Sequence, residues 1–171
     1  MDINIMLIGF MGCGKSTVAA ELTKRLSLEQ IEMDALIAKE AGMSIPDIFA
    51  TYGEEYFRKL ETDMLRKFRD LKPVVVSCGG GVVLRDENIE IMKGQGRIVW
   101  LTATPQTVYE RVKDSTDRPV LNGNMNVAYI GELMEKRRER YQAAADILVA
   151  TDGKTVEEIC DEILEKIAMN C

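Results

Sequence analysis

The run Gly9-Phe10-Met11-Gly12-Cys13-Gly14-Lys15-Ser16 carries the pattern G-x-x-x-x-G-K-[ST], an arrangement of residue types suited to polyphosphates. Its glycines let successive backbone N–H groups turn around phosphate oxygens, and the helix that should follow adds partial positive charge at its N-terminus. Lys15, exposed at the loop, is placed to reach β- and γ-phosphates, and Ser16 to ligate Mg²⁺. The plain alternative is a glycine turn before a solvated lysine. A turn of that kind does not require the strand before it and the helix after it that a phosphate loop needs. A guanine-specific switch would add Asn-Lys-x-Asp, and no asparagine here precedes a lysine. A nucleoside triphosphate is therefore indicated, with motor and kinase chemistry still open.

What accepts the phosphoryl group should be written in charged residues near the carboxyl ends of strands. Glu32 and Asp34 stand two apart at the end of a strand expected over residues 30–33, so a period of two sets them on one face. One can hold Mg²⁺ through water while the other takes a proton or a hydrogen bond from a substrate hydroxyl. Alternatively, Asp34 caps a helix and Glu32 is an exposed strand residue. Arg137 falls on the apolar stripe of Ile130, Leu133, Met134, Tyr141 and Ala144, where leucine would be expected. A guanidinium turned inward needs an anion, either a ligand carboxylate or a structural ion-pair partner. Arg138 and Arg140 fall off the stripe as solvated charges. Arg58 has Glu61 one turn on, as a brace or as half of a solvated pair. Val74-Val75-Val76-Ser77-Cys78 runs into Gly79-Gly80-Gly81, where a phosphate-loop ATPase usually ends the strand in aspartate. Three glycines let a ligand lie against bare backbone, unless they are only a flexible loop.

The elements that must position these residues alternate. Strands are expected over residues 3–8, 30–33, 74–78, 98–101 and 147–150. Helices are expected over 16–28, from 34 to about 71, around 88–93, over 105–113 and 127–145, and from the Thr155 N-cap onward. The strands are apolar enough to be buried on both faces, which gives a three-layer α/β domain with a mostly parallel sheet of five strands spanning residues 1–171. Two stretches break the alternation. A helical insertion at about 34–71 is a substrate cover, and a polar segment at about 114–126 is a mobile lid. With no histidine in 171 residues, acid–base work falls to carboxylates or lysine. A net charge of −6 is the wrong sign for nucleic acid. Cys13, Cys78, Cys160 and Cys171 form no Cys-x-x-Cys pair and read as reduced thiols, and there is neither a long apolar run nor a basic leader. The expectation is a cytoplasmic protein without a membrane partner.

The chain resembles the shikimate kinases over nearly its whole length. The matching residues are Gly9 to Thr17, Glu32-Met33-Asp34, Phe57-Arg58 with Glu61, Gly79 to Gly81, Arg118-Pro119-Val120-Leu121, and Arg137 with Tyr141. The resemblance implies a nucleoside-monophosphate-kinase-like P-loop fold, with ATP and Mg²⁺ as cofactors and transfer to the 3-hydroxyl of shikimate on the route to chorismate. It implies that Gly12, Cys13, Gly14, Lys15, Ser16 and Thr17 hold the phosphates, with Lys15, Asp34 and Arg118 catalytic. Arg58, Gly79, Gly80, Gly81 and Arg137 complete the acceptor site around Asp34. Arg118 closes over the phosphates, Arg111 and Asp152 lie near the adenine, and Ser16 and Glu32 serve the metal. A monomer is the family expectation. Two features depart: the family usually has aspartate where this chain has Glu32, and the lid from Asp114 to Asn126 carries only Arg118 as a basic residue after Lys113.

The residues narrow the acceptor without that resemblance. A carboxylate such as Asp34 beside the γ-phosphate repels a phosphate acceptor and suits a hydroxyl, and two arginines suit an anionic far end. That describes a small hydroxy acid, shikimate or an alternative such as gluconate. A nucleotide-sensing module would need no acceptor pocket.

Overall fold

Asn4–Ile8 forms β1, buried along its length, and it is the middle of the sheet. The computed structural model describes residues 2–113 and 126–170. Beyond β1 the order is α1 (Lys15–Leu26), β2 (Glu29–Glu32), α2 (Met33–Ala41), α3 (Ile45–Tyr52), α4 (Glu54–Lys67), β3 (Val74–Ser77), α5 (Asp86–Lys93), β4 (Gly96–Thr102), α6 (Pro105–Val112), α7 (Val127–Ala144), β5 (Ile147–Ala150) and α8 (Val156–Met169). The five strands run parallel in the order β2-β3-β1-β4-β5, with Met6 opposite both Val76 and Ile98. The side on which strands are added switches beside β1, with β2 and β3 on one side and β4 and β5 on the other. The crevice above the carboxyl ends of β1 and β3 is therefore the place where such a sheet receives ligands.

Alternation along β1 feeds two cores. Ile5 and Leu7 face Val18, Leu22, Val108, Ile159 and Ile163 of α1, α6 and α8. Met6 and Ile8 face Met33, Ile37, Phe57, Leu65 and Tyr141 of α2, α4 and α7. Burying each such side chain contributes about 1.5–3 kcal/mol, so the middle strand is the most firmly held element beneath the site. Helix starts follow local chemistry. Ser44 and Thr104 cap α3 and α6 ahead of a proline in the first turn, and Thr155 forms a capping box with Glu158.

Burial on both faces holds for β1 and β3 but not at the sheet edges. β2 is half-buried or exposed throughout, and Leu148 of β5 is 47% exposed, because each edge strand has one neighbour and incomplete helical cover. The helical stretch after β2 divides into α2, α3 and α4, each ended by a glycine or a 3-10 turn. Among the described residues no helix is long and apolar enough to cross a membrane.

Candidate active site

The loop between β1 and α1 turns on glycines that no other residue replaces cheaply. Gly12 has φ 79° and a Cβ there would meet Val112 at 2.9 Å, while Gly14 has φ 87° as the left-handed N-cap of α1. Lys15 is not exposed, contrary to expectation. Only 9% of it is accessible, and its Nζ folds back to donate to the carbonyls of Gly9 at 2.8 Å and Phe10 at 3.0 Å. The ammonium finds those backbone acceptors inside the loop, in the hollow where phosphate oxygens would lie. Cys13 is buried and burial raises its thiol pKa, so it contributes backbone and packing to the loop, not a nucleophile. Ser16 and Thr17 stand exposed in the first turn of α1.

Ser16 Oγ donates to Glu32 Oε2 at 2.8 Å, and Gln30 Nε2 donates to the other Glu32 oxygen at 2.5 Å. Ser77 at the end of β3 lies 3.4 Å from the Ser16 hydroxyl, so the carboxylate beside it comes from β2. Glu32 and Asp34 do not share a strand face. The strand stops at Glu32 and α2 begins at Met33, so the two acids diverge: Glu32 goes to Ser16 and Asp34 to the glycine segment. Neither caps α2 with its side chain.

Gly79, Gly80 and Gly81 are the hub of the crevice. A Cβ on Gly79 would fall 2.6 Å from Asp34 Oδ1 and 2.9 Å from Glu61 Oε2, and one on Gly81 would fall 2.3 Å from Arg58 Nη1. Gly80 stands 3.4 Å from Met11 N of the phosphate loop and 3.7 Å from Arg137 Nη1 by the same measure. Missing side chains thus let two acids, two arginines and the loop converge on one strip of backbone. Arg58 is buried and braced by Glu61 at 2.8 Å and Glu54 at 3.0 Å, which decides for the brace over a solvated pair. Burial pushes the Glu61 carboxyl up to about 7, against the opposing pull of Arg58. Arg137 is 5% exposed, and its Nη1 has no hydrogen-bond partner. Among the described residues it makes no ion pair; its guanidinium lies 5.7 Å from the Phe10 ring centroid. Arg138 is solvated as expected, whereas Arg140 bonds the Val83 carbonyl and pairs with Asp86.

Arg111 donates to the Gly12 carbonyl at 2.8 Å and approaches Thr151, so it braces the loop from the side where Asp152 lies. Asp152 accepts from Thr104 N at 3.0 Å and from the Thr104 hydroxyl, tying the β5–α8 turn to the start of α6. Arg118 and residues 114–125 of the expected lid lie outside the described residues. The Tyr141 hydroxyl, which donates to the Gly80 carbonyl, escaped sequence reasoning; its signal was a tyrosine four residues after Arg137 on the same stripe.

These residues fit a nucleotide with Mg²⁺. The loop has left-handed glycines and an inward ammonium, and Ser16 with Glu32 offers hard oxygen donors. The shikimate kinase family model matches residues 11–168. The chain belongs to the shikimate kinase family.

A shikimate kinase of Persephonella marina is 45% identical over 164 residues, covering 96% of this chain and 98% of its own. The Acinetobacter baumannii shikimate kinase solved in complex with shikimate superposes with a TM-score of 0.94 at 30% identity, covering 99% of this chain and 95% of that one. A gluconokinase of Sinorhizobium meliloti reaches a TM-score of 0.64 at 20% identity, with coverage of 98% and 93%, and shares the fold alone. The protein is thus a P-loop enzyme of this kinase family, with ATP and Mg²⁺ as cofactors.

Proposed function

We propose that this kinase transfers the γ-phosphoryl group of ATP to the 3-hydroxyl of shikimate, giving 3-phosphoshikimate and ADP. The observation that carries the reading is the convergence of Asp34, Arg58 and Arg137 on Gly79 to Gly81, next to Met11 of the phosphate loop. Arg137 has an unpartnered guanidinium nitrogen where the anionic end of an acceptor would sit, and Arg58 is held beside it by Glu61. The two together match a carboxylate, and bare backbone at the glycines lets a flat ring lie close. Asp34 accepts the hydroxyl proton as the oxygen–phosphorus bond forms and the bond to the ADP oxygen breaks. Lys15 leaves the Gly9 and Phe10 carbonyls for phosphate oxygens, while Ser16, with Glu32 behind it, holds the metal. The loop residues Gly12, Cys13, Gly14 and Thr17 hold the phosphates. Arg111 and Asp152 border the adenine, and Arg118 supplies charge over the transferring group.

The whole chain works as a single kinase domain with the insertion at about 34–71 and a lid at about 114–126. It acts as a cytoplasmic monomer without nucleic-acid or membrane partners; the net charge of −6 supports the absence of nucleic acid, and the buried free thiols Cys13, Cys78 and Cys160 suit a reducing compartment. Coupled ADP release with shikimate, gluconate and nucleoside monophosphates tests the function: turnover with shikimate is expected, and nucleotide binding without it would overturn the reading. Sedimentation tests the monomer.

A further inference from the structure

Tyr141 is 2% exposed, and its ring stacks on Trp100 with 5.7 Å between centroids. Its hydroxyl donates to the Gly80 carbonyl, and the Arg137 guanidinium lies beside the hydroxyl oxygen, opposing the effect of burial on the phenol. The direction of these contacts follows from the groups themselves. A guanidinium only donates and a carbonyl only accepts, so a hydroxyl that gives its hydrogen to Gly80 offers its lone pairs to Arg137. Burial pushes the phenol up to about 12, which keeps its proton in place around neutral pH.

We propose that Tyr141 is a positioning residue of the acceptor site: its hydroxyl fixes the Arg137 guanidinium and the Gly80 peptide relative to each other. The proposal rests on the acceptor reading given above and adds to it the device that aligns two walls of the site carried by different elements. Gly80 follows β3, Arg137 and Tyr141 belong to α7, and the hydrogen bond from Tyr141 to Gly80 spans 61 residues of chain. With the hydroxyl on one side of the guanidinium, Nη1 is left without a protein partner and close to Gly80. That is the nitrogen an acceptor carboxylate would take.

Packing aligns these walls only in part. A cavity of about 340 Å³ separates α7 from β4 and β5 beside Tyr141, lined by Phe10, Trp100, Leu101, Met134 and Leu148 among others. The helix is close-packed at Ile130, Tyr141 and Ala144 but not along the cavity, where packing sets its height above the sheet less firmly. Two polar contacts also tie it to the glycine segment: Tyr141 to Gly80, and Arg140 Nε to the Val83 carbonyl at 2.9 Å. Only the first touches a peptide of the acceptor site.

The test is Tyr141→Phe, which keeps the ring and its stacking on Trp100 and removes the hydroxyl alone. Wild-type turnover with shikimate is recorded first. In the variant the KM for shikimate should rise about tenfold, in line with losing one hydrogen bond to a charged group, while the KM for ATP stays within about twofold. Trp100 is the sole tryptophan, so its emission, titrated with shikimate, gives the affinity independently of turnover. An unchanged shikimate KM and titration midpoint in an active variant would overturn the positioning role and leave the acceptor reading standing. Parallel rises in both KM values with a lowered unfolding midpoint would make Tyr141 a packing residue and overturn it as well. No shikimate turnover in the wild type would overturn the acceptor reading and this proposal with it.

Discussion

Ser16 Oγ donates to Glu32 Oε2 at 2.8 Å, joining the first turn of α1 to the end of β2. A hydroxyl and a carboxylate from separate segments meet where the metal of a phosphate loop is held, and Gln30 orients the carboxylate from its other side. Charge at this position should matter more than length. Glu32→Gln is expected to raise the Mg²⁺ concentration for half-maximal rate by about tenfold or more, and Glu32→Asp by much less. Mg²⁺ titrations of the three proteins check this; overlapping curves for wild type and Glu32→Gln would remove Glu32 from the metal site.

Gly81 has an ordinary φ of −97°, so alanine there meets no backbone strain. What it meets is Arg58, with Nη1 2.3 Å from the new Cβ. Arg58 cannot swing away without leaving Glu61 and Glu54. Gly81→Ala should leave the fold intact, with a cost of about 1–3 kcal/mol for overpacking, and raise the shikimate KM at least about tenfold while ATP affinity holds. Gly94→Ala, whose Cβ meets nothing nearer than 3.5 Å, is the control. Comparing the two variants by thermal melt and steady-state kinetics separates a displaced arginine from a general loss of packing.

The phosphate loop was legible because its chemistry is written in eight adjacent residues. Arg137 was legible for the opposite reason: one cation in an apolar stripe contradicts its surroundings, and its burial follows from the helical period. Lys15 was misplaced because the acceptors that fold it inward are backbone carbonyls, present at every residue and invisible in composition. Glu32 and Asp34 were set on one face because a two-residue period was extended past Glu32, where the chain had already turned helical. The exposure of β2 depends on its edge position, a property of strand order and not of its own residues. Tyr141 and Gly80 belong to different motifs, and no local pattern joins them.

Glu61 is wholly buried, and its carboxyl is raised from 4.5 to about 7 by burial, partly offset by Arg58. The folded-state pKa lies above the unfolded one. The protonated form therefore contributes stability that is fully present below about pH 4.5 and is lost as pH rises through about 7. A shift of that size is worth on the order of 3 kcal/mol. Glu61→Gln removes the titration and keeps an oxygen that can accept from Arg58. Thermal unfolding at several pH values between 5 and 8 should show the wild type losing stability relative to the variant as pH rises. Parallel curves would mean that Glu61 holds the same charge in the folded and unfolded chain across that range.

Arg137 tests the acceptor site most directly, because its two possible roles predict opposite stability effects. A structural ion pair would leave a stranded carboxylate on removal of the arginine and cost about 3–5 kcal/mol. Among the described residues no carboxylate forms an ion pair with it: Glu61, which pairs with Arg58, feels its charge only at longer range. Its guanidinium lies by the Phe10 ring and Tyr141, and Nη1 has no hydrogen-bond partner. Arg137→Leu places an apolar side chain on an apolar stripe and relieves a buried guanidinium of its desolvation cost. Its unfolding midpoint should hold or rise slightly. Shikimate affinity should fall about a hundredfold or more, as when a buried carboxylate loses its charged partner, and ATP affinity should barely change. Unfolding midpoints and Trp100 titrations on this one variant read both quantities. A large loss of stability with little change in shikimate affinity would return Arg137 to a structural role and leave the anionic end of the acceptor without its receiver.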